Sequence, residues 1–147
     1  MEIIIRKGKF EDLNDVLLLV KELAIYEKAQ GEVTASLEDY QNAYREGVFD
    51  ILVADNGARI VGMALFYPTY STWKGLKYYL EDFIVYEEFR GNGIGRKLFD
   101  AFISMARQKK ARLIKLQALK WNEPALNFYR KYAIETDDEW IDIRMYL

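Results

Sequence analysis

Tyr79-Leu80-Glu81-Asp82-Phe83-Ile84-Val85-Tyr86-Glu87-Glu88-Phe89-Arg90-Gly91-Asn92-Gly93-Ile94-Gly95-Arg96 is the stretch from which the fold can be read. A strongly β-forming run passes into a short acidic turn, then an arginine and three glycines on alternate positions. Ile94, Leu98, Phe102, Met105 and Ala106 follow at helical spacing on one face. Strand, glycine turn and helix in that order present bare backbone N–H groups to an anion at a helix N-terminus. Taken alone, Gly-x-Gly-x-Gly fits a tight strand-to-helix turn with glycines at positive φ equally well. It lacks the spacing of the dinucleotide fingerprint and the Gly-Lys-Ser/Thr of a P-loop.

On the N-terminal side of this stretch, Phe49 to Ala54 and Ile60 to Tyr67 read as two strands joined by Asp55-Asn56-Gly57, a strong hairpin signal. Pro68 is expected to end the second strand, and Tyr70 to Gly75 to form a loop carrying Tyr70 and Trp73. The central strand then runs from about Leu76 to Tyr86. Earlier still, Ile3-Ile4-Ile5 reads as a short buried strand. Leu13, Val16, Leu17, Val20, Leu23 and Ala24 mark a helix ending between Lys28 and Gly31, with Glu11 and Asp12 in its first turn. A shorter helix is expected from Ser36 to Glu46, with Ser36 as N-cap, Asp39 completing a near-capping box and Gly47 as the stop.

On the C-terminal side, Arg112 to Leu119 reads as a strand. Asn122 is an N-cap candidate, with Pro124 in the first turn where a missing N–H is harmless. Ala125, Phe128, Tyr129 and Tyr132 share one face of the helix that follows. Trp140 to Tyr146 reads as a final strand, paired with a short one near Ile134-Glu135. A hairpin ahead of a βαβ unit predicts a mixed sheet, antiparallel early and parallel around the glycine turn.

Composition narrows the chemistry. With 147 residues, 51% hydrophobic, 30% charged, and only 2 Pro and 9 Gly, the chain reads as one domain over 1–147 without a linker. It contains no cysteine, which excludes disulfides and thiolate chemistry, and no histidine, which excludes Ser-His-Asp triads and His-ligated metals. No metal is expected. A net charge of −2 and a pI near 5.3 fit a cationic small-molecule partner better than nucleic acid. No apolar run reaches membrane-spanning length and the N-terminus lacks a leader's apolar region. The expectation is a soluble cytoplasmic protein with neither a nucleic-acid nor a membrane partner.

The Arg-Gly-x-Gly-Ile-Gly run resembles the acyl-CoA pyrophosphate loop of the GNAT N-acetyltransferase superfamily. Within it, Tyr79 to Val85, the loop Arg90 to Gly95 and Trp121 to Tyr129 are similar to spermidine/spermine and thialysine N-acetyltransferases. Glu22-Leu23-Ala24-x-Tyr26-Glu27 matches as well, and Tyr67 to Trp73 more loosely. Leu-Glu-Asp-Phe and Trp-Asn-Glu-Pro are more specific than the glycines. The resemblance spans essentially the whole chain. One departure is Ala133, standing in Tyr132-Ala133-Ile134 where the family has a glycine after its tyrosine helix.

The resemblance implies an α/β (α+β) GNAT fold: a mixed sheet of about six to seven strands, flanked by about four helices and splayed at the acetyl-CoA site. It implies acetyl-CoA as co-substrate. Phe83, Ile84 and Val85 would pair through their backbone with the pantetheine arm. Arg90, Gly91, Asn92, Gly93, Ile94, Gly95 and Arg96 would hold the pyrophosphate, and Asn122 and Pro124 would also contact the cofactor. Tyr26, Glu27, Glu81 and Trp73 would contact a small amine, and the enzyme would be a homodimer. Glu81 is the candidate base, directly or through water, in an apolar strand where desolvation would raise its pKa. Asp82 falls on the other face by strand period and reads as structural, unless a β-bulge of the kind the family carries upsets that alternation. Tyr129 is the candidate acid for the leaving thiolate, although its spacing with Ala125 and Phe128 equally describes a helix core position. The Ile84 N–H is a candidate oxyanion donor. Two other functions remain open: a protein lysine or N-terminal acetyltransferase, and a non-catalytic acyl-CoA-binding module.

Overall fold

The computed structural model describes residues 2–147, which fall into two compact units divided between Gln117 and Ala118. The first unit holds a five-stranded sheet in the order β1-β2-β3-β4-β5. These strands are β1 (Ile4–Lys7), β2 (Asp50–Asp55), β3 (Ile60–Ser71), β4 (Gly75–Val85) and β5 (Leu113–Leu116). β1 to β4 pair antiparallel in succession, and β5 joins β4 parallel. The expected mixed sheet is therefore present, antiparallel early and parallel after the glycine turn.

Helices α1 (Leu13–Tyr26) and α2 (Leu37–Arg45) cover one face of the sheet, and α3 (Ile94–Gln108) covers the other. Leu13, Val16 and Leu19 of α1 pack on Ile51, Val53, Met63, Leu65 and Ile84, with Leu37, Tyr40 and Tyr44 of α2 closing over them. On the opposite face Ile94 and Leu98 meet Ala54, Val61 and Val85. Phe99 and Phe102 stack against Phe83 and Phe66 at 5.8 and 4.9 Å between ring centroids. Removing a ring as enclosed as that of Phe102 costs about 3–5 kcal/mol. Helix starts follow local chemistry. Ser36 and Asp39 form the reciprocal capping box on α2. Before α1, the Arg6 guanidinium spans both oxygens of Asp12 and reaches Asp55, which holds the Asp12 carboxyl below its ordinary range.

β4 is irregular where it matters. Its register with β3 runs Leu80↔Phe66 and then Asp82↔Leu65, so Glu81 is an extra residue without a cross-strand partner. This is a β-bulge, and it resets the alternation. Leu80 is buried and Phe83 lies against Phe99 of α3, whereas Ile84 joins the α1 core. Glu81 and Asp82 therefore both turn toward the α1–α2 side. β5 pairs with β4 only from Lys77↔Leu113 to Leu80↔Leu116. Beyond Leu80, β4 has a strand neighbour on the β3 side alone, and the expected splay begins there.

Three expectations need correction. The sheet has five strands rather than six to seven. Trp140 to Tyr146 and Ile134-Glu135 form no strand among the described residues, because neither enters a β-ladder and alternation without a ladder does not make a strand. Pro68 does not end β3, which continues to Ser71 opposite β4. β2 stops pairing at Phe66, so the donor that Pro68 lacks is not needed on that side.

In the second unit, the Asn122 side chain accepts from the Ala125 N–H at 3.3 Å and caps α4 (Glu123–Tyr129), with Pro124 in its first turn as expected. Phe128 contacts the rings of Tyr129 and Tyr132 at 5.4 and 5.8 Å. Ala133 is not among the residues at positive φ.

Candidate active site

The bulge gathers acidic and phenolic groups on one face of the sheet. Tyr67 on β3 donates its hydroxyl to Glu81 Oε1 at 2.5 Å. Glu81 is exposed and Asp82 half-buried. Burial pushes Asp82 up to about 7, and the negative charges of Glu81 and Glu27 add to the shift. Glu27, at the C-terminal end of α1, is itself raised by burial. Tyr40 of α2 is pushed up to about 12 by burial and by Asp82 and Glu81, and Tyr67 is raised by burial and by its bond to Glu81. Three carboxylates with mutually unfavourable charge have the character of a receptor for a cation.

A pocket of about 130 Å³ opens alongside, between the end of α1 and the end of β4. Glu22, Ile25, Tyr26, Ile84, Tyr86, Glu87 and Arg90 line it. Three sequence candidates, Tyr26, Ile84 and Arg90, are thus brought together. Arg90 is turned inward: its Nε donates to the Val85 carbonyl at 2.9 Å and its guanidinium lies 5.3 Å from the centre of the Tyr26 ring. It braces the strand end against α1.

The glycine turn has the form its sequence predicts. Gly91 and Gly93 take φ of +80° and +76°, and a Cβ built on either would meet no atom within 4 Å. The Asn92 amide donates to the Phe89 and Arg90 carbonyls at 3.1 and 3.3 Å, which fixes the curl of the turn. Within α3 the ladder begins with the Lys97 N–H on the Gly93 carbonyl, so Ile94 and Gly95 direct their N–H groups toward the turn. The first turn of α3 carries no acidic residue. An open loop, a helix N-terminus without a competing carboxylate and the end of β4 that has no strand on its β5 side fit a long ligand with an anionic end.

One candidate of the first unit, Trp73, lies apart from this cluster. Trp73 sits at the tip of the β3–β4 hairpin, 85% exposed. It is six or more residues of strand from Glu81, roughly 20 Å at the usual rise. Tyr129 belongs to the second unit, half-buried on α4 beside Phe128. Asp82, Tyr67 and Tyr40, together with Glu22, Ile25, Tyr86 and Glu87, are neighbours of the candidates that sequence reasoning did not select. For Asp82 a signal existed, because the family's bulge would place it beside Glu81.

Residues 16–133 match the acetyltransferase (GNAT) family, and the chain belongs to it. It is an N-acetyltransferase, and enzymes of this family use acetyl-CoA. It is 37% identical to a thialysine N-epsilon-acetyltransferase of Bos taurus over 87% of this chain and 81% of that protein. With the Mus musculus thialysine N-epsilon-acetyltransferase it is 33% identical over 95% and 90%. A human spermidine/spermine N(1)-acetyltransferase-like protein is 29% identical over 85% of this chain but 19% of its own length. Among solved structures, an aminoglycoside acetyltransferase from an uncultured soil metagenomic sample superposes with a TM-score of 0.81 at 22% identity, covering 99% and 96% of the two chains. That similarity is one of fold.

Proposed function

We propose that the protein is a cytoplasmic enzyme that transfers the acetyl group of acetyl-CoA to the primary amine of a small substrate, a polyamine or a thialysine- or lysine-like amine, by direct attack in a ternary complex. The observation that carries this reading is the Glu27–Glu81–Asp82 cluster beside the splayed end of β4. It pairs an ammonium receptor with the place where the sheet opens. The acidity of that face favours a small cationic acceptor over a protein amine.

In this reading the backbone of Phe83, Ile84 and Val85 pairs with the pantetheine arm. The loop from Arg90 to Arg96 holds the pyrophosphate, and Asn122 and Pro124 add contacts. Tyr26 and Glu27 receive the amine, with Trp73 as a further contact if a second copy supplies it. A carboxylate of the Glu81–Asp82 pair accepts the proton that must leave an alkyl ammonium before its nitrogen becomes nucleophilic. The Ile84 N–H faces the developing oxyanion, and Tyr129 protonates the departing thiolate. The chain then acts as a single acetyltransferase domain over 1–147 and works as a homodimer.

The test is thiol release from acetyl-CoA with spermidine, spermine, thialysine, lysine and a lysine peptide. Release with a small amine is expected, and Tyr129→Phe should lower kcat by on the order of 100-fold while leaving acetyl-CoA affinity nearly intact. Tight acetyl-CoA binding without release on any amine would sink the reading and favour a non-catalytic binding module.

A further inference from the structure

We propose that Asp82, set beside Glu81 by the bulge in β4, takes the proton from the acceptor ammonium, while Glu81, anchored by Tyr67, serves as the fixed charge that tunes it. This rests on the acetyl-transfer reading above.

The two adjacent carboxylates have unlike surroundings. Glu81 is exposed, and one of its oxygens accepts a 2.5 Å hydrogen bond from Tyr67. A side chain so anchored keeps its orientation and its charge near the face. Asp82 is half-buried, and the groups facing it are Glu81 on its own strand, Glu27 at the end of α1, Tyr40 on α2 and Tyr67 on β3. The charges that act on it, Glu81 and Glu27, are both negative. Burial and those charges place its protonation near 7, where a general base serves best at neutral pH. The two-residue period would separate the carboxylates onto opposite faces, and the bulge brings them together. Two interacting acids in unlike environments divide the roles of base and electrostatic partner.

An N–H bond of the ammonium breaks and its proton passes to the Asp82 carboxylate, directly or through one water. The freed amine nitrogen forms a bond to the thioester carbonyl carbon, and the carbon–sulfur bond breaks. Tyr129 gives its proton to sulfur and regains one from the newly acylated nitrogen. Asp82 releases its proton to solvent, so each turnover yields amide, thiol and one proton, without redox change.

The experiment is the pH dependence of kcat/KM and kcat, by thiol release, from about pH 6 to about pH 9. It uses two amines of different basicity, spermidine and thialysine, so that a limb common to both belongs to the enzyme. Wild type should show a common acidic limb near 7. Asp82→Asn should lose on the order of 100-fold in kcat with acetyl-CoA affinity and a cooperatively folded state retained. Glu81→Gln should shift the limb to lower pH and raise the amine KM, with a kcat loss at least about tenfold smaller. Tyr67→Phe should shift the limb the same way. If Asp82→Asn proves unfolded, the limb in the other two variants still decides. An Asp82→Asn enzyme with near-normal kcat, or a limb unmoved in Glu81→Gln and Tyr67→Phe, overturns the proposal and leaves the acetyl-transfer reading standing. A wild-type enzyme that releases no thiol with any amine removes both.

Discussion

Asp82 carries a thermodynamic cost that its surroundings make measurable. Burial pushes its pKa up to about 7 in the folded chain, from an ordinary aspartate value of about 3.9. The folded state thus binds more protons than the unfolded state between those values, and stability falls as pH rises through that window. The interval sets a ceiling of about 4 kcal/mol, which partial exposure reduces to roughly 2 kcal/mol. Asp82→Asn should therefore raise the melting temperature at about pH 8 and leave it nearly unchanged at about pH 4. Equal shifts at both values would show that charge is not the cause. The sequence reading gave the pKa role to Glu81. Which of two neighbouring carboxylates is desolvated depends on pairing with β3, and spacing along the chain does not encode that. Tyr26 and Glu27 became candidates only through resemblance, since a glutamate at a helix end is ordinary by composition.

Elements governed by nearby residues were legible. The Ser36–Asp39 box, the Asn122 cap, the Asp55-Asn56-Gly57 hairpin and the strand–turn–helix around Gly91 each depend on contacts a few positions apart. The course of β3 past Pro68 was not, because its tolerance depends on where β2 ends, many residues earlier. The glycine turn supplies its own test. Gly93 caps α3 at φ +76°, and an alanine forced there costs roughly 1 kcal/mol or more. If the turn receives the pyrophosphate, Gly93→Ala should weaken acetyl-CoA binding about fivefold or more by calorimetry and change the amine KM much less. An unchanged acetyl-CoA affinity would place the anion elsewhere.

The assembled chain leaves one account open at its C-terminus. Trp140, Ile141, Ile143, Met145 and Tyr146 are between 76% and 88% exposed. Their sequence alternates as a strand would, but the five-stranded sheet contains no part of it. An apolar run so placed supports the homodimer proposed above, with a second copy as its cover. The full chain should sediment as a dimer and a chain shortened to Glu139 as a monomer. If both sediment as the same species, the segment is not the interface. The sequence announced a strand here because it encodes pleat-compatible alternation. It does not encode which chain supplies the edge.

The bulge has one more consequence. Removing Glu81 altogether would leave Leu80 opposite Phe66 and Asp82 opposite Leu65, an unbroken ladder. Every other side chain of β4 would keep its face, and the aromatic layer against α3 would be undisturbed. Elsewhere in a half-buried strand, losing one residue inverts all that follows. In β4 the sheet is complete without this glutamate. Selection can thus add, lose or replace its carboxylate without renegotiating the core, and acceptor recognition can diverge while the scaffold stays the same.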